Sequence, residues 1–455
     1  MLYLATILTD AVRKLAGLPT ATTGIVYILA GLTYLVFLSR GPGRRTRPSP
    51  RFLPVWLAML SLWCAAEAVA QRIPVGVALL GWVSFVFFVP LCYVGAELMA
   101  DDRRAARALR IATIAGGVVG AGAVASALLG QSAPALLQPI IPSVGVHSFS
   151  GGNIYLAPSV FATAEEASEQ LLIALFAWAA LAQFPASRLG RVWSAVLGVL
   201  IGVGLFATAR RAGIIVAVTG IVGLALLGLA AHRHRTGHAT VRVRGRLGPA
   251  LILAAAGSLL LLSFLGASKL VPFLTSGSAG ANAVKFMFSP AHPGSLTGQG
   301  PGTSTQGAGL LGATSFTAAG RQGPYTVYVL NGRSFLTAEG GLTKTWLELG
   351  FVGVLLYGGV FLSVLGPAVR RLGQLDPVGR SLTALTIALG VVFLKGHQSL
   401  DNPLVQPLFW LAAGGAWGRM RAAAAAGRPL GGIAPHSIGP PGSPRHPPAL
   451  HAPEA

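Results

Sequence analysis

Acidic residues are scarce. Only 13 Asp and Glu occur in 455 residues, and all charged residues together make up 10%, against about 25% in an average soluble domain. So little charge excludes a soluble globular enzyme and a solvated, disordered chain. Cysteine is nearly missing as well. Cys64 and Cys92 are the two present, and both fall in apolar runs, which excludes a disulfide scaffold and a CxxC zinc site. No HExxH, Walker loop or GxSxG occurs, so those metalloprotease, nucleotide and hydrolase chemistries have no carrier. Met1 to Thr9 is apolar but short and has no basic segment before it, so no cleavable signal peptide is expected.

What is present is hydrophobic. Apolar residues make up 53% and the mean hydropathy is +0.66. The expected class is an all-α polytopic integral membrane protein. A membrane helix needs about 20 mostly apolar residues to cross a core about 30 Å thick. On that rule about eleven spans (ten to twelve) are predicted, near 22–39, 52–69, 76–97, 110–129, 168–184, 192–208, 212–231, 249–267, 346–366, 381–397 and 403–418.

Lys and Arg number 34, giving a formal charge of +21. A nucleic-acid surface would gather that charge on one face. Here it is distributed between spans. With the N-terminus outside, the inner segments are 40–51, 98–110, 185–191, 232–248, 367–380 and the tail from 419. They carry 5, 4, 2, 5, 3 and 4 basic residues, or 23 of the 34. Basic loops face the cytoplasm, so this alternation sets the orientation and no nucleic-acid partner is expected. An inside N-terminus remains open if residues 1–17 enter the membrane.

Residues 1–421 read as a single transmembrane domain. Its largest external loop, about 268–345, lies between spans 8 and 9 and is rich in Gly, Ser and Thr. A loop of that length in a compact protein usually serves function, and its composition suits a mobile substrate-binding cap. Residues 422–455, an Ala run followed by Pro, Gly and His, read as a disordered cytoplasmic tail.

Ionisable residues on the outer side are few, and each is costly inside lipid. Arg210 and Arg211 stand in a tight turn between two apolar runs, on the face that otherwise avoids positive charge. They read as a clamp for an anionic lipid head group, since guanidinium forks match phosphate oxygens in pairs. Snorkelling to outer head groups is the plain alternative. Glu339, Lys344 and Glu348 join the large loop to the ninth span. With a helix starting near Gly341, Lys344 and Glu348 form an i, i+4 pair. Glu339 sits just before the helix, as a capping acid or as a general base at a cavity mouth. Gly298-Gln299-Gly300-Pro301-Gly302 mimics a dinucleotide loop but contains Pro, follows no strand and opens no helix, so it reads as a flexible turn. His232, His234 and His238 lie in a basic inner loop and are not expected to bind metal.

These features together resemble a known family. "TARRAGIIVAVTGIVGLALLG" is similar to the arginine turn and apolar helix of the bacterial O-antigen ligase and Wzy-type polysaccharide polymerase superfamily. "LTGQGPGT" resembles that family's Gly-rich external segment. The pattern from Glu339 through Lys344, Glu348 and Gly350 to Gly353 resembles its closing motif, and "YLAPSVFATAEEASEQLL" stands where it has a motif before the fifth span. The resemblance covers roughly residues 140–366.

It implies a GT-C-like glycosyltransferase architecture in the bacterial cytoplasmic membrane, with the active site facing the periplasm or exterior. The implied donor is an undecaprenyl-diphosphate-linked glycan. The implied acceptor is a second glycan, and the chemistry is metal-independent, inverting and free of cofactors. Membrane lipids and a chain-length regulator are the further partners it suggests. Arg210 or Arg211 matches the family's diphosphate-contacting arginine. Arg321 and Arg333 are candidates for its loop arginine, and Lys344 matches an arginine of some members. Glu339 stands where ligases have His, which favours the polymerase branch and makes Glu339 the expected base, with Glu348 as its orienting partner or replacement. A ligase acting on lipid A core or protein, and a flippase or transporter for a lipid-linked sugar, are the alternatives.

Overall fold

The computed structural model is predominantly helical. It describes residues 2–18, 24–39, 52–139, 146–149, 152–182, 190–210, 213–221, 224, 296–304, 317–322, 325–330, 332–337, 341–372, 375–395 and 402–425. In chain order the helices are α1 (Leu2–Leu15), α2 (Gly24–Ser39), α3 (Leu53–Ala70), α4 (Val75–Trp82), α5 (Leu91–Ala100), α6 (Asp102–Leu129), α7 (Ala164–Leu181), α8 (Arg191–Ala207), α9 (Gly341–Arg370), α10 (Pro377–Lys395) and α11 (Gln406–Ala425). Residues 213–221 are also helical. The expected span at 249–267, the inner loop with His232, His234 and His238, and residues 426–455 lie outside the described residues. α11 ends at Ala425, four residues past 421.

Four described helical stretches are long and apolar enough to cross a membrane: Leu53–Ala70, Val75–Ala100, Asp102–Ser132 and Gly341–Arg370. Gly24–Ser39, Val192–Ala207 and Pro377–Phe393 are shorter and apolar. Leu62, Leu128 and Leu362 are each about 70% exposed, as suits a surface solvated by acyl chains rather than water. Val75–Ala100 holds one turn of π-helix at Val83–Phe87.

Small residues decide how closely the helices approach. Gly414 and Gly418 of α11 lie against Cys92 and Ala96 of α5. A Cβ on either would come within 1.8 or 2.1 Å of the facing carbonyl oxygen. On α6, Gly120 meets the Leu200 carbonyl and Gly204 of α8. Gly414 and Gly418 follow the four-residue spacing of small residues that lets membrane helices touch backbone to backbone. Near the C-terminal end of α11, Arg419 donates to Asp376 before α10, to Asp102 of α6 and to the Met99 carbonyl.

Two elements depart from the sequence reading. The first is α1, where no helix was assigned. Its buried side is Tyr3, Thr6, Asp10 and Arg13, while Leu8, Val12 and Leu15 are 52 to 66% exposed. It is amphipathic with the polar stripe inward, and at 14 residues it is too short to span. The second is the large loop. It carries an antiparallel sheet, β3 (Thr317–Gln322), β4 (Tyr325–Leu330) and β5 (Arg333–Thr337), in the order β3-β4-β5. β4 is rich in Tyr and Val, residues that fit a pleated surface. Gly332, with φ 76°, supplies the left-handed position that the β4–β5 turn requires. A second hairpin, earlier in the chain, pairs β1 (Val146–Phe149) with β2 (Gly152–Tyr155). The all-α expectation holds for the bundle but not for its caps.

Candidate functional site

Among the described residues, Lys344 and Glu348 form one group of expected site residues and Arg210 stands in another. The first is built around a break in α9. Gly350 takes φ 67° and ψ −168°, and a helix cannot run through it. The break removes the hydrogen-bond partners of the carbonyls before it, and lipid supplies none. Each is satisfied from elsewhere. Leu347 O accepts from Gln299 N at 2.7 Å and Glu348 O from Gly300 N at 3.0 Å. Leu349 O accepts from Trp63 Nε1 at 2.9 Å, and Val352 N donates to Leu296 O at 3.4 Å. Residues 296–300 thus lie along the break and hydrogen-bond to it.

Glu348 anchors the same segment with its side chain. Its carboxylate is fully buried and accepts from Gly302 N and Ser304 N, both at 2.8 Å. Glu67 Oε1 accepts from Gly298 N at 3.2 Å. Gln299 exchanges two hydrogen bonds with the backbone of Leu336 on β5. The Gly-rich run is therefore a buried, pinned segment, where a flexible turn was expected. Gly302 makes this packing attainable: with φ 86°, its missing Cβ would lie 2.0 Å from the Val77 carbonyl oxygen.

The i, i+4 geometry of Lys344 and Glu348 is as expected, with helix α9 starting at Gly341 and Nζ 3.9 Å from Oε1. Lys344 is 2% exposed. It also donates to Ser84 Oγ at 3.2 Å and stands 5.0 Å from the Phe85 ring. Both residues belong to the π-helical turn, whose Ser84 carbonyl accepts from Gln406 Nε2. Turns of this kind recur at functional positions. Glu339, the expected base, lies outside the described residues.

The second group surrounds Arg210. α8 ends at Ala207, and Ala209 adopts φ 52°, a left-handed conformation that costs a residue with a side chain about 1–2 kcal/mol. That turn stops α8 from running into the helix at 213–221. Arg210 forms an ion pair with Glu165 in the first turn of α7. Beside the pair is a cavity of about 10 Å³, lined by Glu165, Ser168, Glu169, Arg210 and Gly213 and closed by Leu172 and Val392. That is room for roughly one water. Gly213 brings its helix against α7, since a Cβ there would meet Ser168 Oγ at 2.1 Å.

A separate apolar groove of about 230 Å³ lies between the same helix and α10. Val216, Gly220, Leu224, Ala384, Ile387 and Val391 line it, and Ile387 and Val391 are about 40% exposed. The cavity is lined by charged and polar groups and the groove mostly by apolar ones. The two groups are linked through the end of α10: Val392 closes the Arg210 cavity, and the ring of Phe393 lies against Gly341, the first residue of α9.

The remaining arginines are placed differently. Arg333 is exposed, donates to the Gln71 carbonyl at the end of α3 and lies 5.6 Å from the Phe335 ring. It fastens the sheet to the bundle and does not line the Arg210 cavity. Arg321 is in β3, in register with Thr326. Arg211 lies outside the described residues.

Sequence reading missed a third cluster, which ties α1 to the start of α7. Asp10 Oδ2 accepts from Ala162 N at 2.6 Å and Oδ1 pairs with Arg13 at 2.9 Å. Lys14 Nζ donates to the carbonyls of Ser159 and Phe161 at 3.0 and 2.8 Å. Burial raises the Asp10 carboxyl above its usual value against the pull of Arg13, and burial pushes the Lys14 amine down to about 8. Thr163 and Glu166 form a capping box on α7, and Asn402 Nδ2 donates to Glu166 Oε1 at 2.9 Å. The available signal was T-x-x-E before an apolar run.

Among the described residues no cluster of His, Cys, Asp and Glu is arranged to hold a metal ion. A search against protein-family models found no match to the chain, and a search of curated proteins found none either.

Proposed function

We propose that this protein polymerises undecaprenyl-diphosphate-linked oligosaccharide repeats at the outer face of a bacterial cytoplasmic membrane. The observation that carries the reading is the pairing at Arg210 of a small charged cavity with a separate apolar groove, both lined by the helix at 213–221 and α10. A polyprenyl diphosphate has that same division, an anionic head on a long hydrocarbon tail. In this reading Arg210, with Arg211 beside it in sequence, holds the diphosphate. Preorganised guanidinium in a low-dielectric site stabilises the charge that grows on the leaving group.

The acceptor hydroxyl attacks the anomeric carbon and gives its proton to a base. The bond from that carbon to the diphosphate oxygen breaks, and direct attack inverts the centre. Glu339 is the proposed base. Glu348 is better suited to positioning than to chemistry, because its oxygens are engaged by Gly302 and Ser304. Its neighbour Lys344 supports that buried anchor.

One observation favours a second reading. Broken helices form substrate sites in many transporters, and α9 is broken at Gly350. Against it, the carbonyls of residues 347–349 and the N–H of Val352 are taken by residues 296–300 and Trp63.

The test is made in cells of the source organism. The gene is deleted and restored as wild type, Arg210→Gln or Glu339→Gln, and glycan chain length and lipid-linked repeats are measured. Loss of long chains with build-up of single lipid-linked repeats is expected for the deletion and for both variants. Unchanged chain length on deletion refutes the polymerase reading. Repeats trapped on the cytoplasmic side favour the transporter.

A further inference from the structure

Arg210 meets a carboxylate before any ligand arrives. Its partner Glu165 is on α7, whereas Arg210 follows α8, so the pair closes the gap between two elements. Their side chains are 20 and 26% exposed, open enough to solvent to separate at small cost. The cavity beside them admits about one water. A diphosphate does not enter such a space, so binding requires the pair to part.

Glu165 has no duty in ending α7. The cap is complete without it: Glu166 N donates to Thr163 Oγ1 at 3.3 Å, and Thr163 N donates to Glu166 Oε2 at 3.1 Å. What Glu165 gains from its position is the positive field of a helix N-terminus, and that field favours a phosphate as readily as a carboxylate. A guanidinium left alone at the edge of lipid would be poorly solvated. An internal carboxylate keeps it charged and in place.

We infer that Glu165 is an exchangeable counter-ion that occupies Arg210 in the empty site and yields it to the diphosphate of the lipid donor. The inference rests on the proposed reading of Arg210 as a diphosphate ligand. The exchange is favourable because a diphosphate offers several oxygens to the guanidinium fork, while the pair it displaces is partly screened by solvent. Glu165 then sets donor affinity from the weak side, and it favours release of the diphosphate product by reclaiming the arginine.

The experiment titrates the purified full-length protein in nanodiscs with undecaprenyl diphosphate bearing no sugar. Four proteins are compared: wild type, Glu165→Gln, Arg210→Gln and the double variant. Glu165→Gln is expected to bind about twofold to fivefold tighter, the range set by a partly exposed ion pair. Arg210→Gln is expected to bind about tenfold weaker or worse, with the double variant as weak as Arg210→Gln. Inorganic pyrophosphate is expected to rank the four proteins in the same order, because only the head is exchanged.

Thermal melting checks that each variant is folded. If Glu165→Gln is not, Glu165→Asp, whose shorter reach loosens the pair, is expected to tighten binding in its place. Equal or weaker binding by a folded Glu165 variant, with Arg210→Gln still defective, overturns the counter-ion role and leaves the reading of Arg210 standing. No binding by wild type, or no effect of Arg210→Gln, overturns both.

Discussion

At Glu348 both carboxylate oxygens are committed to backbone N–H groups, which makes the residue an acceptor that a neutral amide cannot replace. Gln at 348 would turn a donor toward one of those N–H groups. Glu348→Gln is expected to lose about 1.5–3 kcal/mol, the scale of a hydrogen bond to a charged group. Thermal unfolding and faster proteolysis within 296–304 would register it. Lys14 predicts a pH effect. Its folded pKa, about 8, lies below the ordinary 10.5, so between these values the unfolded chain binds the proton and the folded chain does not. Stability from this group therefore rises as pH increases from about 8 to 10.5. Asp10, Arg13 and Glu166 are the charges that act on it. Lys14→Met should flatten that part of a melting-temperature profile, and an unchanged slope would count against the assignment. The Lys344–Glu348 pair was legible in the sequence because helical periodicity is local. The partners of Glu348, Arg210 and Asp10 were not, since each is brought up from another element by the fold.

The elements follow the same division. Apolar runs locate α2, α3 and α6, because hydrocarbon demands length and little else. They do not reveal the break in α9, which depends on residues 296–300 being available to receive it. Gly350→Ala should therefore be among the most damaging single-methyl changes. It puts a Cβ within 2.5 Å of the Leu296 carbonyl oxygen and requires φ 67° of an alanine. A cost above about 2 kcal/mol is expected, read as lower melting temperature and a protease-sensitive 296–304 segment. Gly366→Ala on the same helix meets nothing within 4 Å and should be neutral. Gly418→Leu, which drives a side chain into the Ala96 carbonyl, should part α5 from α11 and abolish folded protein. β4 and β5 were readable after all: Asn331-Gly332 between Val-Tyr-Val-Leu and Arg-Ser-Phe-Leu is a hairpin signal, obscured by the Gly and Ser content around it.

For the molecule as a whole, the basic segments between the apolar runs predict an orientation that single thiols can test. Cys64 and Cys92 are both buried, so they contribute little background. Arg333→Cys on the sheet and Arg103→Cys at the start of α6 both replace exposed residues. A membrane-impermeant maleimide should label residue 333 in intact cells and residue 103 only after permeabilisation. The reverse result would invert the chain and move the Arg210 site to the cytoplasm.

The inward polar stripe of α1 has a consequence in time. Asp10 and Lys14 find their partners at Ala162, Ser159 and Phe161, 145 to 152 residues further along the chain. Synthesis at about 5–20 residues per second leaves α1 waiting roughly 10 to 30 seconds before that surface exists. During the wait its two faces have only the water–lipid boundary to satisfy them, hydrocarbon on one side and head groups on the other. The first helix made is thus seated only after α2 to α6 have been made, when the segment that opens α7 arrives.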